Sequence, residues 1–484
     1  MLASSAPVRL PTMTEVLAVM VGFIGVMFMS INVLQLPIQL ALFASWFIVI
    51  GLGLRLKINY ESMQKGLIDG IHNGMEAVLV LTTVGALIGT WIAGGIVPSI
   101  IYYGLSVMNP QIFLFAAFII CALTSIATGT SFGTAGTAGV AMMGIGHSFG
   151  IPLPLVAGAV ISGAYVGDKM SPLSDTTVMT ASLCKVKLVD HIRSMMWVSA
   201  PAILIASVLF LVVGFFYLSD HADTSRTAMA MAALQDHFVI SPWLLLPAVV
   251  VITLLTRRYP AIPVITLGAI LGSVCAWWAQ GIDPVQAIHI AYSGNAMHSD
   301  VEFLNTLLNR GGIESMLGVV ALILFALGLG GLMERVGILK AISQSFLRWA
   351  NNPGRLTIST MLGGFFGNFF GGAAYVSLIT ASTITEKNYD DQGIDRRVLS
   401  RNAEAGGTIT TPMVPWTDGG VFMATTLGVS TLTYLPFLWY HMLVIVISIV
   451  YGFANIAIWR VPQAERTSAG VGPNAQADHE WQAS

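Results

Sequence analysis

Long apolar runs separated by short polar interruptions dominate the chain. Runs able to cross, or nearly cross, a bilayer lie at about 15–34, 36–56, 76–96, 111–128, 132–149, 153–167 and 195–218. After a polar stretch at 219–240 they resume at 241–256, 260–280, 314–333, 356–371, 373–385, 403–418 and 434–458. About 20 apolar helical residues span the hydrocarbon core of a bilayer. Several of these roughly fourteen runs are shorter or broken by Gly and Pro, which predicts half-helices or re-entrant hairpins beside full crossings. The expected layout is an N-terminus at 1–14, a first transmembrane repeat at 15–194 and a linking helix with a polar loop at 195–240. A second repeat at 241–432, a C-terminal helix at 433–459 and a disordered tail at 460–484 complete it.

Composition sharpens this picture. Of 484 residues 55% are hydrophobic and only 10% charged, against roughly 25% charged in soluble chains. The class is therefore an all-α polytopic membrane protein. A net charge of −2 argues against a nucleic-acid partner. Cys121, Cys184 and Cys275 stand alone, with no spacing for a metal centre or disulfide framework. The first apolar run is too long for a signal-peptide core and has only Arg9 before it, so it is read as a crossing. If every run crosses and the N-terminus is cytoplasmic, 19 of the 22 lysines and arginines fall in inside loops, as the positive-inside rule requires. Both termini are then cytoplasmic.

The stretch Gly163–Thr177 places Asp168, Lys169, Ser171, Asp175, Thr176 and Thr177 close together in a mostly hydrocarbon chain. Charges at bilayer depth are expensive and mark pathways or binding sites. Gly167 and Pro172 argue against one continuous helix, and broken backbone at that depth frees carbonyls that can coordinate a cation. Sodium is a hard ion and takes oxygen ligands, and a desolvated carboxylate can hold either a proton or a cation. Asp168 and Asp175 are the expected carboxylates, with Lys169 alternatively neutralising Asp168. An internal repeat runs at an offset near 240: Gly167-x-x-x-Ser171-Pro172 returns as Gly407-x-x-x-Thr411-Pro412, Gly85–Gly95 lies over Phe325–Arg335, and Gly74-Met-Glu76 matches Gly312-Ile-Glu314. An extra helix between the copies makes them inverted, with broken helices meeting at the midplane.

The string Gly167-Asp-Lys-Met-Ser-Pro-Leu-Ser-Asp-Thr-Thr177 resembles the signature of the NhaC family of sodium/proton antiporters. Gly129–Thr137, Leu87–Trp91, Leu399–Glu404 and Thr411–Trp416 support the likeness, which covers nearly the whole chain outside the tail. It implies exchange of Na+ for H+ by alternating access across a bacterial inner membrane. Some relatives instead couple both ions to an organic anion, such as malate against lactate. No cofactor is called for, since Na+ and H+ are cargo. Membrane lipid is the expected surrounding, a small organic anion or amino acid stays open as a substrate, and so does a homo-oligomer.

Around this core, Thr130, Ser131, Thr134 and Thr137 either face the site from an unwound crossing or serve small-residue packing. The second copy offers Glu404, Thr408, Thr410, Thr411 and Asp418, with Pro412 and Pro415 as helix breakers. Ala405, the Gly371–Tyr375 stretch and Thr417 depart from the family pattern, and Asn368 is the candidate replacement ligand. Lys169, Arg401 or a half-helix N-terminus would hold an organic carboxylate. Glu76 and Glu314 open matching helices as dipole partners or gates. Glu334-Arg335 reads as an interfacial pair, His147 as an interfacial polar residue, and tryptophans including Trp91 as an aromatic belt. No selectivity-filter motif or HExxH occurs and no Ser/His pairing is evident at membrane depth, which sets aside a channel and an enzyme.

Overall fold

The computed structural model describes residues 9–218, 224–257, 259–297, 308–309, 311–347 and 349–461. The tail expected to be disordered lies almost wholly outside them, as do Arg258, His298 and Arg310. The described chain is helical throughout. Five helices are long and apolar enough to cross a membrane: Ile38–Arg55, Pro110–Thr128, Leu188–Phe216, Ala261–Trp278 and Ile313–Val336. Bent pairs raise that number to as many as eight, for example Val78–Ala93 with Ile96–Val107 at 67°.

The two halves share one local plan. In the first, Asn109 accepts a hydrogen bond from the Gln111 amide and Pro110 opens a 19-residue helix ending at Thr128. In the second, Asn352 accepts from the Arg355 amide and Pro353 opens another 19-residue helix, ending at Gly371. An Asn cap followed by Pro at the first helical position is a strong start signal. Each helix stops at a left-handed glycine, Gly129 at φ +75° and Gly372 at φ +70°, a conformation strained for any residue with a Cβ. The chain is then extended for one residue, at Thr130 and Ala373, before a new helix begins.

A later helix of each half, Leu153–Met170 in one and Arg396–Gly406 in the other, packs alongside the first at a glycine. Gly167 is pressed against the Ser125 and Ile126 backbone, and a Cβ at Gly364 would stand 2.5 Å from the Gly406 carbonyl carbon. Without a hydrophobic drive between helices in lipid, such close backbone approach supplies the packing energy. Past these contacts the backbone breaks. Helix Leu153–Met170 ends before Ser171–Ser174 and restarts as Asp175–Leu183. Helix Arg396–Gly406 gives way to a 3-10 turn at Thr408–Met413, then to Asp418–Leu427.

A second set of contacts exchanges between the halves. Gly70 packs on Gly331, and its counterpart is Gly89 on Gly312. Gly74 meets Leu327 as Gly85 meets Met316. Paired contacts of this reciprocal kind are what a two-fold relation between copies generates. The Gly312 amide donates to the Gly85 carbonyl at 2.7 Å, tying the halves directly.

Several expectations change. The polar stretch 219–240 is not simply a loop: its Ala-, Met- and Leu-rich part forms the helix Thr224–His237, which buries Ala230 and Leu234 one turn apart. The run 403–418 is three pieces rather than one segment, because Pro412 cannot continue a helix. Trp91 belongs to the core, not a belt, and its indole N–H donates to the Gly268 carbonyl at 2.9 Å. Arg335 does not rest on Glu334: its Nε donates to Ser62 Oγ at 2.7 Å, while Glu334 faces Asp69. Short helices absent from the apolar pattern, such as Tyr60–Asn73 and Ile338–Leu347, carry polar faces.

Candidate functional site

The breaks of both halves open onto one cavity of about 670 Å³. From the first half its wall contains Thr128, Gly129, Thr130, Ser131, Tyr165, Asp168, Asp175 and Thr176; from the second, Ala373, Ala374, Tyr375, Thr408, Thr411 and Asp418. Glu76, Tyr259 and Pro260 line it as well. Four carboxyl groups, Glu76, Asp168, Asp175 and Asp418, thus share one water-accessible space.

Asp168 is the most tightly held of the four. It sits in the last turn of Leu153–Met170, just before the break, so hydroxyls from the restarted helix reach back to it. Ser131 Oγ donates to its Oδ2 at 2.6 Å and Ser174 Oγ to its Oδ1 at 2.8 Å. Thr176 Oγ1 lies 3.1 Å from its main-chain oxygen and 3.4 Å from Oδ1. Thr177 Oγ1 donates towards the carbonyls of Asp168 and Lys169, at 3.0 and 3.2 Å. The freed carbonyls at this break therefore have hydroxyl partners from the segment that follows. Ser171 is fully buried and donates to the Ile126 carbonyl at 2.9 Å, which pins the break to the neighbouring helix. Ser174, unremarked in the sequence reading, belongs to the first ring around Asp168. Its position in Ser-Pro-Leu-Ser-Asp, just ahead of a helix start, was the available signal.

Asp175 occupies a different setting. It is exposed at the N-terminus of Asp175–Leu183, where a negative charge is favourable, and it lines the cavity without a hydroxyl ring. Thr134 and Thr137 do not line the cavity. Thr134 donates to the Thr130 carbonyl at 2.8 Å and Thr137 to the Gly133 carbonyl at 2.7 Å. Both hydroxyls serve the wide turn at Ala135–Gly139, where the α-helical ladder is interrupted. Of the hydroxyl-rich segment, only its first part reaches the site.

In the second half Asn368 is a clasp. Its Nδ2 donates to the Gly407 carbonyl at 2.7 Å and Thr410 Oγ1 at 2.8 Å, and its Oδ1 accepts from Thr411 Oγ1 at 3.3 Å. With all these bonds made and the side chain buried, it holds the second break shut and does not line the cavity. Thr408 and Thr411 do line it. Asp418 accepts from the Gly419 amide at 2.7 Å and also faces the Ala374 amide, so it joins the two helix starts of its half. Its main-chain amide donates to Gly372 at 2.8 Å.

Glu404 lies behind this wall, fully buried, and accepts from Thr180 Oγ1 at 3.0 Å across the halves. Lys169 is equally buried, and the charge it faces is Glu404. Arg401 donates to the Ala457 carbonyl at 3.2 Å, with its guanidinium 5.7 Å above the Trp459 ring. Neither cation lines the cavity. Among the described residues no group of three or more His, Cys, Asp or Glu is arranged to hold a metal ion, so a cation here would rely on hydroxyls and carbonyls beside one or two carboxylates.

Comparison with known proteins places this architecture. The model of the Na+/H+ antiporter family matches residues 4–193 and 163–456. A malate-2H(+)/Na(+)-lactate antiporter of Bacillus subtilis is 52% identical over 93% of this chain and 97% of its own length. The Na(+)/H(+) antiporter NhaC of Alkalihalophilus pseudofirmus is 36% identical over 89% of this chain and 93% of its own. An arginine/ornithine antiporter of Halobacterium salinarum is 33% identical over 93% of each chain. With apolar helices able to cross a bilayer and relatives that are antiporters along nearly their whole length, this chain belongs to the NhaC family of Na+/H+ antiporters.

Proposed function

We propose that the protein exchanges Na+ and H+ in a cycle coupled to a small organic anion, of the size and charge of a hydroxycarboxylate. The observation that carries the organic part is the cavity itself. A bare cation needs only its first ring of oxygens, whereas about 670 Å³ falls in the range of small-molecule pockets. The relative with 52% identity is a malate and lactate antiporter, which supports the same substrate class. Lys169 and Arg401 are set back from the cavity, so the substrate carboxylate falls to Thr130, Thr408 and Thr411 and to the start of helix Ala374–Asp391. Ala373, Ala374 and Tyr375 of that start lie in the wall, and the positive end of a helix dipole favours an anion.

The cation corner in this reading is Asp168. Its ring of Ser131, Ser174 and Thr176 consists of hydroxyls, which rotate to donate to a carboxylate or to turn lone pairs towards a cation. One carboxylate then serves a proton or a sodium ion in turn, and each disfavours the other. The two broken segments, one from each inverted copy, carry the site between the two sides of the cytoplasmic membrane. Plain Na+/H+ exchange is the second reading, favoured by the acid-and-hydroxyl geometry at Asp168 and by the NhaC relatives.

Proteoliposomes loaded with a pH-sensitive dye separate the two. Sodium added alone to acid-loaded vesicles is expected to give little alkalinisation, with a prompt response once malate is supplied on one face and lactate on the other. Full response to sodium alone would favour simple exchange. No response to any combination of these ions and solutes would overturn both.

A further inference from the structure

Behind the cavity wall lies a buried polar cluster that the transport site does not use. Glu404 Oε1 accepts from Thr180, but Oε2 has no hydrogen-bond partner. Lys169 Nζ has none either, nor has Thr408 Oγ1. Glu404 and Lys169 are both 0% exposed. Taking a charged group out of water costs several kcal/mol unless close partners compensate. Here the partners are only partly supplied, so the charge on Glu404 is finely balanced by its surroundings.

We propose that Glu404 is a proton site separate from the cation corner at Asp168, exchanging its proton with water of the cavity by way of Thr408. Glu404 does not line the cavity, so a hydrated cation or an organic solute does not reach it, while a proton passing along hydroxyls does. Thr408 is the link: its buried hydroxyl faces Glu404, just outside hydrogen-bond geometry here, and the residue belongs to the cavity wall. Loading adds one proton to the carboxylate and leaves a neutral acid beside the Lys169 ammonium. Unloading returns that proton to cavity water and restores the carboxylate–ammonium pair.

The neighbours explain how this site would sense the cation. Charged or titratable groups face the cluster from each packed element: Asp168 and Lys169 from one helix and Arg401 from Glu404's own. Cys184, His191, Tyr440 and His441 complete the surroundings. His441 is buried with neither ring nitrogen hydrogen-bonded, and its ring lies 5.0 Å from that of Tyr165. A sodium ion at Asp168 would add positive charge on the cavity side and favour the ionised form of Glu404. Sodium binding would then expel the Glu404 proton without contact between them. The proposal rests on Asp168 as the cation corner, and its tests are chosen so that the two can fail separately.

The first test needs no transport. Infrared difference spectra of the full-length protein in detergent, between acidic and alkaline buffer without sodium, should show a protonated-carboxyl band that titrates. One component of the band should vanish in Glu404→Gln and persist in Asp168→Asn. An identical band in wild type and Glu404→Gln overturns the proposal, whatever the sodium site proves to be. The second test follows labelled-sodium exchange and dye-reported proton movement in the same vesicles. Glu404→Gln should keep sodium exchange while protons moved per sodium fall by about twofold, to the share carried at Asp168. Wild-type proton movement per sodium, or equal loss of both fluxes, counts against a separate site. Should Glu404→Gln misfold, Lys169→Met with Glu404→Gln removes both buried charges together and is read by the same criteria. Failure of wild type to bind or move sodium would sink the Asp168 reading, and the infrared band would still decide Glu404.

Discussion

At the scale of single residues, chemistry and architecture are carried by different side chains drawn from the same polar strings. Asp168 and Asn368 are both buried or half-buried, both near a break and both surrounded by hydroxyls. Asp168 faces water in the cavity, whereas Asn368 spends its bonds on holding backbone. The two should therefore respond oppositely to substitution. Asp168→Asn keeps the shape and leaves Ser131 and Ser174 able to rotate, so the variant should insert and melt close to wild type while losing cation-driven proton movement. Asn368→Ala should leave the buried Gly407 carbonyl and Thr410 short of partners, at roughly 1–3 kcal/mol per unsatisfied group, and lower the melting temperature in detergent. Scanning fluorimetry beside vesicle flux checks both. A destabilised Asp168→Asn, or an unshifted Asn368→Ala, would reverse the assignment. The string around Asp168 was legible because charge is so rare in this chain. The clasp role of Asn368 was not, since an amide beside glycines reads equally as ligand or brace until its partners are known.

At the scale of elements, the breaks are built from glycine in two ways: positive φ at Gly129 and Gly372, and close backbone approach at Gly167 and Gly364. In an ordinary exposed helix Gly→Ala stabilises by up to about 1 kcal/mol. Here the sign should invert. A Cβ at Gly129 would meet Leu173 Cβ at 2.6 Å in the neighbouring break, on top of its left-handed φ, and one at Gly167 would run into the Ser125 backbone. Gly129→Ala and Gly364→Ala should each destabilise by about 1–3 kcal/mol, while Gly25→Ala and Gly318→Ala, with open space around them, should not. Equal effects across all four would refute the packing argument. Sequence patterning located the apolar elements well, since length and hydropathy decide them. It failed where polar helices such as Thr224–His237 contribute only a narrow buried stripe. It also passed over the matching Asn-Pro starts 19 residues ahead of Gly129 and Gly372, the plainest mark of the repeat, because a polar cap leaves no trace in a pattern of apolar runs.

At the scale of the whole molecule, part of the cavity wall comes from segments that adjoin basic stretches of the chain. Gly74, Glu76, Tyr259 and Pro260 belong to that wall, near in sequence to Arg55, Lys57, Lys65 and Arg257. The positive-inside rule would put those stretches on the cytoplasmic side, which predicts a cavity open inwards. A smaller space of about 250 Å³ is lined by Asn309, Ser315, Thr425 and Thr426 among others. Between the halves Phe132 stacks on Phe422 with ring centroids 4.2 Å apart and planes 10° from parallel. Phe132 is part of the cavity wall and Phe422 sits on the helix that also carries Thr425 and Thr426. On that orientation the stack is expected to be the barrier that an outward-open state parts. In a background with Cys121, Cys184 and Cys275 replaced, Tyr259→Cys should react with an impermeant maleimide only from the cytoplasmic face, and Thr425→Cys only from the opposite face. Phe132→Ala with Phe422→Ala should raise labelling of Thr425→Cys from the cytoplasmic face several-fold, because the two spaces would then join. Labelling of Tyr259→Cys from outside would invert the orientation, and unchanged accessibility in the double alanine variant would move the barrier elsewhere along the broken helices.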